Sequence, residues 1–407
     1  MQSIYSDSNV KLDEFISSAN VQEIVKKDNW RCSKSVINLI NKIRASAEQN
    51  PIIQKPAGAN SEGSALFLYS SRDNIDIEDV KNFDIINGLE FKELYLTHNL
   101  ISKKAGFDEL LQIYDKDRII KYISSIRKYL KNYVEKEELV IDKTLAEIIN
   151  LKLVSSPKAF NIFIAEYVEL FNFIKTQPFE KVRKIYLHKN NLIEGGGEKK
   201  EERNDKKDDL IVHLGKIEKM LNLYEENRVV EFRRCIEKDF PINCVADLIN
   251  LKEIMDNFEN PENRSCEEII NWADKNKLVC KDDKFIEFTE EKEYIYHRVK
   301  QVKYSSFKNL YRFEQQNSPY STQHGVKGAE FENVFVVLDN GNWNNYNFGY
   351  LFENSVTQTV VERTRKMFYV SCSRAKNNLA VYFHKPSDKV LVQAKEWFGE
   401  ENVVEIK

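Results

Sequence analysis

Two hydrophobic patterns alternate along the chain, and they occupy different parts of it. Short runs of nearly consecutive apolar residues lie at Ala65–Tyr69, Glu93–His98, Phe335–Val337 and Leu379–Phe383, with a weaker one at Asn402–Ile406. Runs of that length and composition predict buried strands. The polar segment Ile77–Phe83 between the first two predicts a crossover helix, and strands joined by a crossover are parallel. Apolar residues at Val36, Ile37, Leu39, Ile40 and Ile43 predict a helix over Ser35–Ile43, and those at Met367, Phe368, Val370 and Cys372 predict another that ends at the basic Arg374. From about residue 105 to 310 the pattern changes to long, charged segments with helical periodicity, such as Lys121–Leu130. The fold class is therefore α/β: a parallel sheet assembled from both ends of the chain, with a large α-helical insertion between them.

Two punctuating segments refine this outline. Residues 51–63, rich in Pro, Gly, Ala and Asn, predict a loop. Glu194–Asp209 is almost wholly glycine and charge, so it has nothing to bury and reads as a mobile linker. Its three glycines are followed by no Gly-Lys-Ser or Gly-Lys-Thr and preceded by no strand, so a phosphate loop is the weaker reading.

Composition narrows the class further. The 407 residues are enough for two or three units with their own cores. A 42% hydrophobic and 31% charged chain, with no apolar run near the ~20 residues that span a bilayer, predicts a soluble protein with no membrane partner. The first residues lack the basic and apolar regions of a signal peptide, and Cys32, Cys235, Cys244, Cys266, Cys280 and Cys372 form no CxxC pair, so a reduced, cytoplasmic setting is expected without a zinc or iron–sulfur site. Net charge is -3, so no chain-wide cationic field announces nucleic acid, although a groove needs only local charge.

The chemistry concentrates in two stretches near the C-terminus. Ser321–Phe331 sets His324, Lys327 and Glu330 around Gly325 and Gly328, ahead of the strand that ends in a turn at Asp339, Asn340 and Gly341. Arg365–Ala375 carries Arg374 at a helix end ahead of the next strand. Both are expected to face one crevice at the strand ends, where glycine lets a phosphate approach the backbone. A guanidinium, always charged and forked, suits a phosphate whose charge changes during reaction. Phe335–Asp339 imitates a strand ending in a metal-binding acid, but Asn340 follows where a catalytic glutamate would stand, so Asp339 reads as a turn residue.

These residues carry a resemblance. Thr322-Gln323-His324-Gly325-Val326-Lys327-Gly328-Ala329-Glu330-Phe331 is similar to motif V of the UvrD/Rep-like superfamily-one DNA helicases, and Phe368-Tyr369-Val370-Ser371-Cys372-Ser373-Arg374-Ala375 to their motif VI, in the same order and separation. Asn29-Trp30-Arg31-Cys32-Ser33 resembles the Asn-Tyr-Arg-Ser of motif IV, and Gln2-Ser3-Ile4-Tyr5 the tail of motif III, without the Gly-Asp pair that normally precedes it. The resemblance implies a RecA-like, P-loop-NTPase-type second motor domain: 1–104 as the first part of domain 2A, 105–310 as a 2B-like helical insertion, and 311–407 as the second part of 2A.

The family roles transfer by position. Gln2 matches the γ-phosphate sensor and Tyr5 a tyrosine facing single-stranded DNA. Trp30 matches the aromatic that stacks on adenine, against the alternative that it anchors the following helix, and Arg31 matches an arginine on the γ-phosphate. Thr322 and His324 match the DNA-facing start of motif V, Lys327 and Gly328 the loop coupling nucleotide to DNA, and Glu330 the acid on the ribose. Arg374 matches the arginine finger. Arg363 and Arg365 read as a solvated or DNA-facing helix edge, and the aromatic and amide residues of Asn342–Tyr350 read equally as a base-stacking loop or an ordered cap on the sheet.

The implied activity is ATP-driven 3′-to-5′ movement on single-stranded DNA and at single-strand/duplex junctions, with a nuclease as a further partner. No GxxxxGK[ST] loop occurs. ATP and Mg²⁺ are then expected to be held mainly by an absent N-terminal RecA-like half or a partner subunit, and the chain alone is expected to be inactive. The alternative class is a non-catalytic DNA- or protein-binding module, a truncated product or a regulatory subunit that completes another protein's ATP site.

Overall fold

A computed structural model of the chain describes residues 25–48, 50–58, 60–193, 207–354 and 358–407. Gln2, Tyr5 and the triple glycine Gly195, Gly196 and Gly197 lie outside the described residues. Two units are present, one formed by the described residues of 1–105 and 315–407, the other by those of 106–195 and 200–314.

In the first unit the order is β1 (Asp28–Asn29), α1 (Lys34–Ala45), β2 (Lys55–Pro56), β3 (Ser64–Ser70), α2 (Ile77–Lys81), β4 (Lys92–Tyr95), α3 (His98–Ala105), β5 (Tyr320–Thr322), β6 (Phe331–Val337), α4 (Phe348–Glu353), α5 (Gln358–Cys372), β7 (Ala375–His384), α6 (Asp388–Phe398) and β8 (Val403–Glu405). Strands β3 to β8 form one sheet in the order β5-β4-β6-β7-β3-β8, with every neighbour pair parallel. Phe67 and Leu68 point to opposite faces of β3 and neither is exposed, so both faces are covered. That double burial is why these strands read as continuous apolar runs rather than alternating ones. On one face Phe352 packs its ring 5.5 Å from Phe67, 5.7 Å from Phe368 and 4.9 Å from Trp397, which ties α4, α5 and α6 to the sheet. The unit is a RecA-like α/β sheet, and the chain that builds it is interrupted by a large helical insertion.

Strand order decides where ligands can enter. The chain leaves β4 toward β5 on one side, and leaves β6 toward β7 on the other. Connections that diverge in this way open a crevice outside the carboxyl ends of β4 and β6.

The second unit is built from helices in its described residues. Arg118–Asn132 contains the predicted Lys121–Leu130 and buries Ile119, Ile120, Ile123, Ile126 and Leu130 at helical spacing. It starts at Asp117, whose Oδ1 accepts the Ile120 N–H at 2.9 Å while its Oδ2 takes the Tyr294 hydroxyl at 2.8 Å and an ion pair from Arg298. One buried carboxylate thus caps a helix and balances a partly buried guanidinium.

Three predicted boundaries are corrected. The Glu93–His98 run is strand only to Tyr95, because His98 opens α3 and Leu100 N–H already bonds the Thr97 carbonyl at 3.2 Å. The 51–63 loop contains β2, paired in parallel with β1. The end of the Glu194–Asp209 run is fixed rather than mobile: Asp208 is buried and accepts from Lys292 at 2.9 Å, Lys207 pairs with Glu314 at 2.8 Å, and Asp209 begins the helix Asp209–Glu225. Charge in that run finds partners across the unit, which composition alone cannot reveal. Among the described residues no helix is long and apolar enough to cross a membrane.

Candidate functional site

Register brings the first group of residues together. Phe331 of β6 pairs with Ala375 of β7, so the residues just before them, Glu330 and Arg374, stand side by side at the amino edge of the sheet. The Phe331 N–H bonds the Arg374 carbonyl at 2.9 Å and fixes that alignment. Residues 29–33 reach the same edge because Ser33 bonds the Lys376 carbonyl through its N–H at 2.6 Å and the Asn377 carbonyl through its hydroxyl at 2.8 Å. Gly63 lies beneath this junction with φ +58°, and a Cβ there would strike the Asn377 carbonyl and the Ser33 side chain.

The local turn decides what the edge presents. Asn29 Oδ1 accepts the N–H groups of Arg31 and Cys32, both at 2.9 Å, which curls the backbone around the asparagine and turns Trp30 outward. Trp30 is 81% exposed, so the reading of Trp30 as an anchor for the helix is overturned. Arg31 donates from Nε to Glu330 Oε2 at 2.9 Å, and among the described residues its two terminal nitrogens have no hydrogen-bond partner. Both side chains are partly exposed, so the pair adds at most about 1 kcal/mol and yields easily to a competing ligand.

Arg374 differs. It is buried and donates from each of its three nitrogens: from Nε to the Val370 carbonyl at 3.0 Å, from Nη1 to the Ala329 carbonyl at 2.9 Å and from Nη2 to Ser373 Oγ at 2.9 Å. Burial, and after it the neighbouring charge of Arg31, pulls its pKa below the usual arginine value. Burial likewise raises the thiol pKa of Cys32, which sits between them with Sγ 3.6 Å from the Ser373 carbonyl. An exposed indole, one open guanidinium fork, one buried guanidinium and a carboxylate can together receive a planar ring carrying anionic groups.

The second group lies elsewhere. Thr322 ends β5 opposite Tyr95 of β4, at the carboxyl edge. Thr322 is buried with Oγ1 accepting the Gly325 N–H at 3.1 Å, and His324 Nε2 shares a hydrogen bond with the Tyr346 hydroxyl at 2.9 Å. From there the peptide crosses the sheet through buried Val326, passes exposed Lys327 and Gly328 (φ +92°), and reaches Glu330 at the amino edge. The expectation of one shared crevice is therefore corrected: Thr322 and His324 stand at the carboxyl edge, and Arg31, Glu330 and Arg374 at the amino edge. A parallel connection must return along the full strand length, so its two ends cannot share an edge.

Two further readings change. Asp339 Oδ1 accepts the Gly341 N–H at 2.8 Å, as a strand-end turn requires. Arg365 is not a solvated helix edge: it is 8% exposed, its Nε has no partner among the described residues, and burial lowers its pKa. Arg363 donates to the Asn345 carbonyl at 3.5 Å. The sequence reading missed Gln323, which is fully buried and ties β5 to its neighbours by N–H to the Tyr95 carbonyl at 2.8 Å and Nε2 to the Val337 carbonyl at 3.2 Å. It also missed Gly63, for which a glycine directly ahead of a strand was the one available signal. Among the described residues no group of three or more His, Cys, Asp or Glu could hold a metal.

Fold and site together define a RecA-like α/β unit with a built amino edge and a separate carboxyl edge. No family model matches the chain. Over 429 residues it is 26% identical to the Gabija protein GajB of Bacillus cereus (strain HuB5-5), an alignment covering 98% of this chain and 54% of that protein. The chain thus spans about half the length of the curated relative it matches.

Proposed function

We propose that the chain supplies the second motor half of a UvrD/Rep-like, ATP-dependent 3′-to-5′ DNA helicase or translocase. The observation that carries this reading is the convergence of Arg31, Glu330 and Arg374, far apart in sequence, on one sheet edge beside an exposed indole. The likeness to the Gabija protein over nearly the whole chain supports it at a coarser level.

In this reading the Trp30 indole stacks on adenine, the free fork of Arg31 takes the γ-phosphate, and Glu330 accepts from the ribose. Arg374 is the finger that stabilises charge as the phosphoryl group departs, with Lys327 and Gly328 linking that edge to Thr322 and His324 on the DNA side. Gln2 and Tyr5 would add a phosphate sensor and a DNA contact. These residues offer no ligand set for magnesium, so the metal and most of the triphosphate contacts belong to a P-loop-bearing half. A nuclease is a further partner in this reading.

One observation favours a second reading, a non-catalytic module: each of the three nitrogens of Arg374 already makes a hydrogen bond within the unit. ATP hydrolysis separates the two. The chain by itself should show no DNA-stimulated turnover, and the chain joined to a P-loop-bearing half should show it. Turnover by the chain alone, or none in the joined protein, contradicts the proposal.

A further inference from the structure

The 51–63 loop carries two side-chain amides that grip the turn presenting Trp30 and Arg31. Its position is set by α1. Ser33 precedes that helix, but its hydroxyl is bonded to the Asn377 carbonyl and does not cap the first turn. The loop satisfies the orphan donors there instead: the Lys34 N–H bonds the Ser61 carbonyl at 2.9 Å and the Ser35 N–H the Glu62 carbonyl at 3.1 Å. Further back, Gln54 is doubly bonded to Asn41 of α1, its N–H donating to Oδ1 and its carbonyl accepting from Nδ2, both at 2.9 Å. One helix therefore fixes the loop at two points.

From that frame both amides reach the turn. Asn60 Nδ2 donates to the Asn29 carbonyl at 2.9 Å and to the Cys32 carbonyl at 2.8 Å, so one amide bridges the first and last residues of the turn. Gln54 Oε1 accepts from Asn29 Nδ2 at 2.7 Å, which orients the Oδ1 that holds the Arg31 and Cys32 N–H groups. Trp30 and Arg31 lie between the two bridged carbonyls. A primary amide suits position 60, because its planar NH₂ offers two diverging hydrogens, whereas a hydroxyl has one and a carboxylate none.

The bridge bears on binding through order. An exposed indole and a long guanidinium side chain on a loose backbone would both have to be ordered by an incoming ligand. A turn that is already closed removes the backbone's share of that cost. Asn60 lies outside every segment that resembles a helicase motif, so no role transfers to it by position.

We infer that Asn60 is a positioning residue for the nucleotide, acting through the Asn29–Cys32 turn and touching no ligand itself. The inference rests on the proposed nucleotide contacts of Trp30 and Arg31. The test measures ATP affinity by calorimetry, well below the unfolding temperature, in the chain joined to a P-loop-bearing half. Asn60→Asp keeps the size of the side chain and sets a carboxylate against two carbonyls. A ligand that requires the closed turn binds in proportion to its population, so Asn60→Asp should bind ATP about 5- to 30-fold more weakly. In a protein already carrying Trp30→Ala and Arg31→Ala, the same substitution should change affinity by less than about twofold. Equal weakening in both backgrounds would mean that Asn60 supports the fold in general, and it overturns the inference. Wild-type affinity in Asn60→Asp also overturns it, while leaving Trp30 and Arg31 as nucleotide contacts. If the protein with Trp30→Ala and Arg31→Ala binds ATP as tightly as wild type, or wild type binds none, the contacts and the positioning role fall together. If Asn60→Asp fails to fold, Asn60→Ser takes its place in the same comparison, with the same outcomes.

Discussion

Replacing Arg374 by alanine tests whether the amino edge is built as described, before any question of catalysis. Three donors are deleted, but the losses are unequal. The Val370 carbonyl keeps the Ser373 hydroxyl at 2.9 Å, and the Ser373 oxygen loses the donor Nη2 but keeps the bond it donates. The Ala329 carbonyl loses its bond from Nη1 and has no other donor shown. A hydrogen bond from a charged donor contributes about 1.5–3 kcal/mol, and the buried stem adds about 1 kcal/mol of packing. Relief of the repulsion from Arg31 offsets a part of this, since that charge already lowers the pKa of Arg374. A net cost of about 2–4 kcal/mol follows, which for a unit of this size lowers the midpoint of thermal unfolding by roughly 5–15 °C. Circular dichroism and tryptophan fluorescence, read together through one melt, would show it. A variant that melts within about 1 °C of wild type would mean that the guanidinium is not knitted into the backbone. The same result would make loss of activity in an alanine variant interpretable as chemistry, whereas a large shift means alanine cannot distinguish a finger from a strut.

Other consequences follow from single positions. Gly63→Ala must accept both a left-handed backbone, about 1 kcal/mol or more for a residue with a Cβ, and a collision with the Asn377 carbonyl and Ser33; a loss of about 3 kcal/mol or more in a urea titration is expected, and wild-type stability would contradict the junction. His213 has both ring nitrogens unpartnered among the described residues and packs its ring, tilted, 4.5 Å from that of Phe285, and burial holds its pKa down to about 4. The unfolded histidine binds its proton near pH 6.5 and the native one only near 4, so this contribution is whole above 6.5 and lost as pH falls through that window, up to about 3 kcal/mol. Urea midpoints at pH 7 and 4.5 should converge in His213→Leu, and an unchanged pH dependence there would refute the assignment.

How much of this was legible depends on what each residue's role requires. Ala65–Tyr69 and Leu379–Phe383 read as strands because a sheet covered on both faces leaves unbroken apolar runs. The nearness of Arg31, Glu330 and Arg374 was reachable through the resemblance alone, since it depends on the pairing of Phe331 with Ala375. Which edge each motif residue occupies was not legible, because that follows from strand order. Arg365 was misread because α5 is buried around most of its circumference, from Thr364 and Arg365 through Met367–Cys372, so a charged residue on it has no reliably wet face. His98 was misread because only Leu96 and Thr97 separate strand from helix, and the buried Leu96 carries the apolar run past the strand's end. In Asn342–Tyr350 the reading as an ordered cap holds at Tyr346 and Phe348, which are buried in the core, and Trp343 is 38% exposed.

The central claim, that Arg374 acts on a departing phosphate, is tested most directly by Arg374→Lys in the chain joined to a P-loop-bearing half. Single-turnover hydrolysis and nucleotide affinity are measured on the same preparation. Lysine keeps the charge and loses the fork, and a contact that strengthens only in the transition state governs turnover more than ground-state binding. The account predicts hydrolysis slowed by roughly 10³-fold or more, with nucleotide and single-stranded DNA affinities close to wild type. Wild-type hydrolysis in the lysine variant would contradict it.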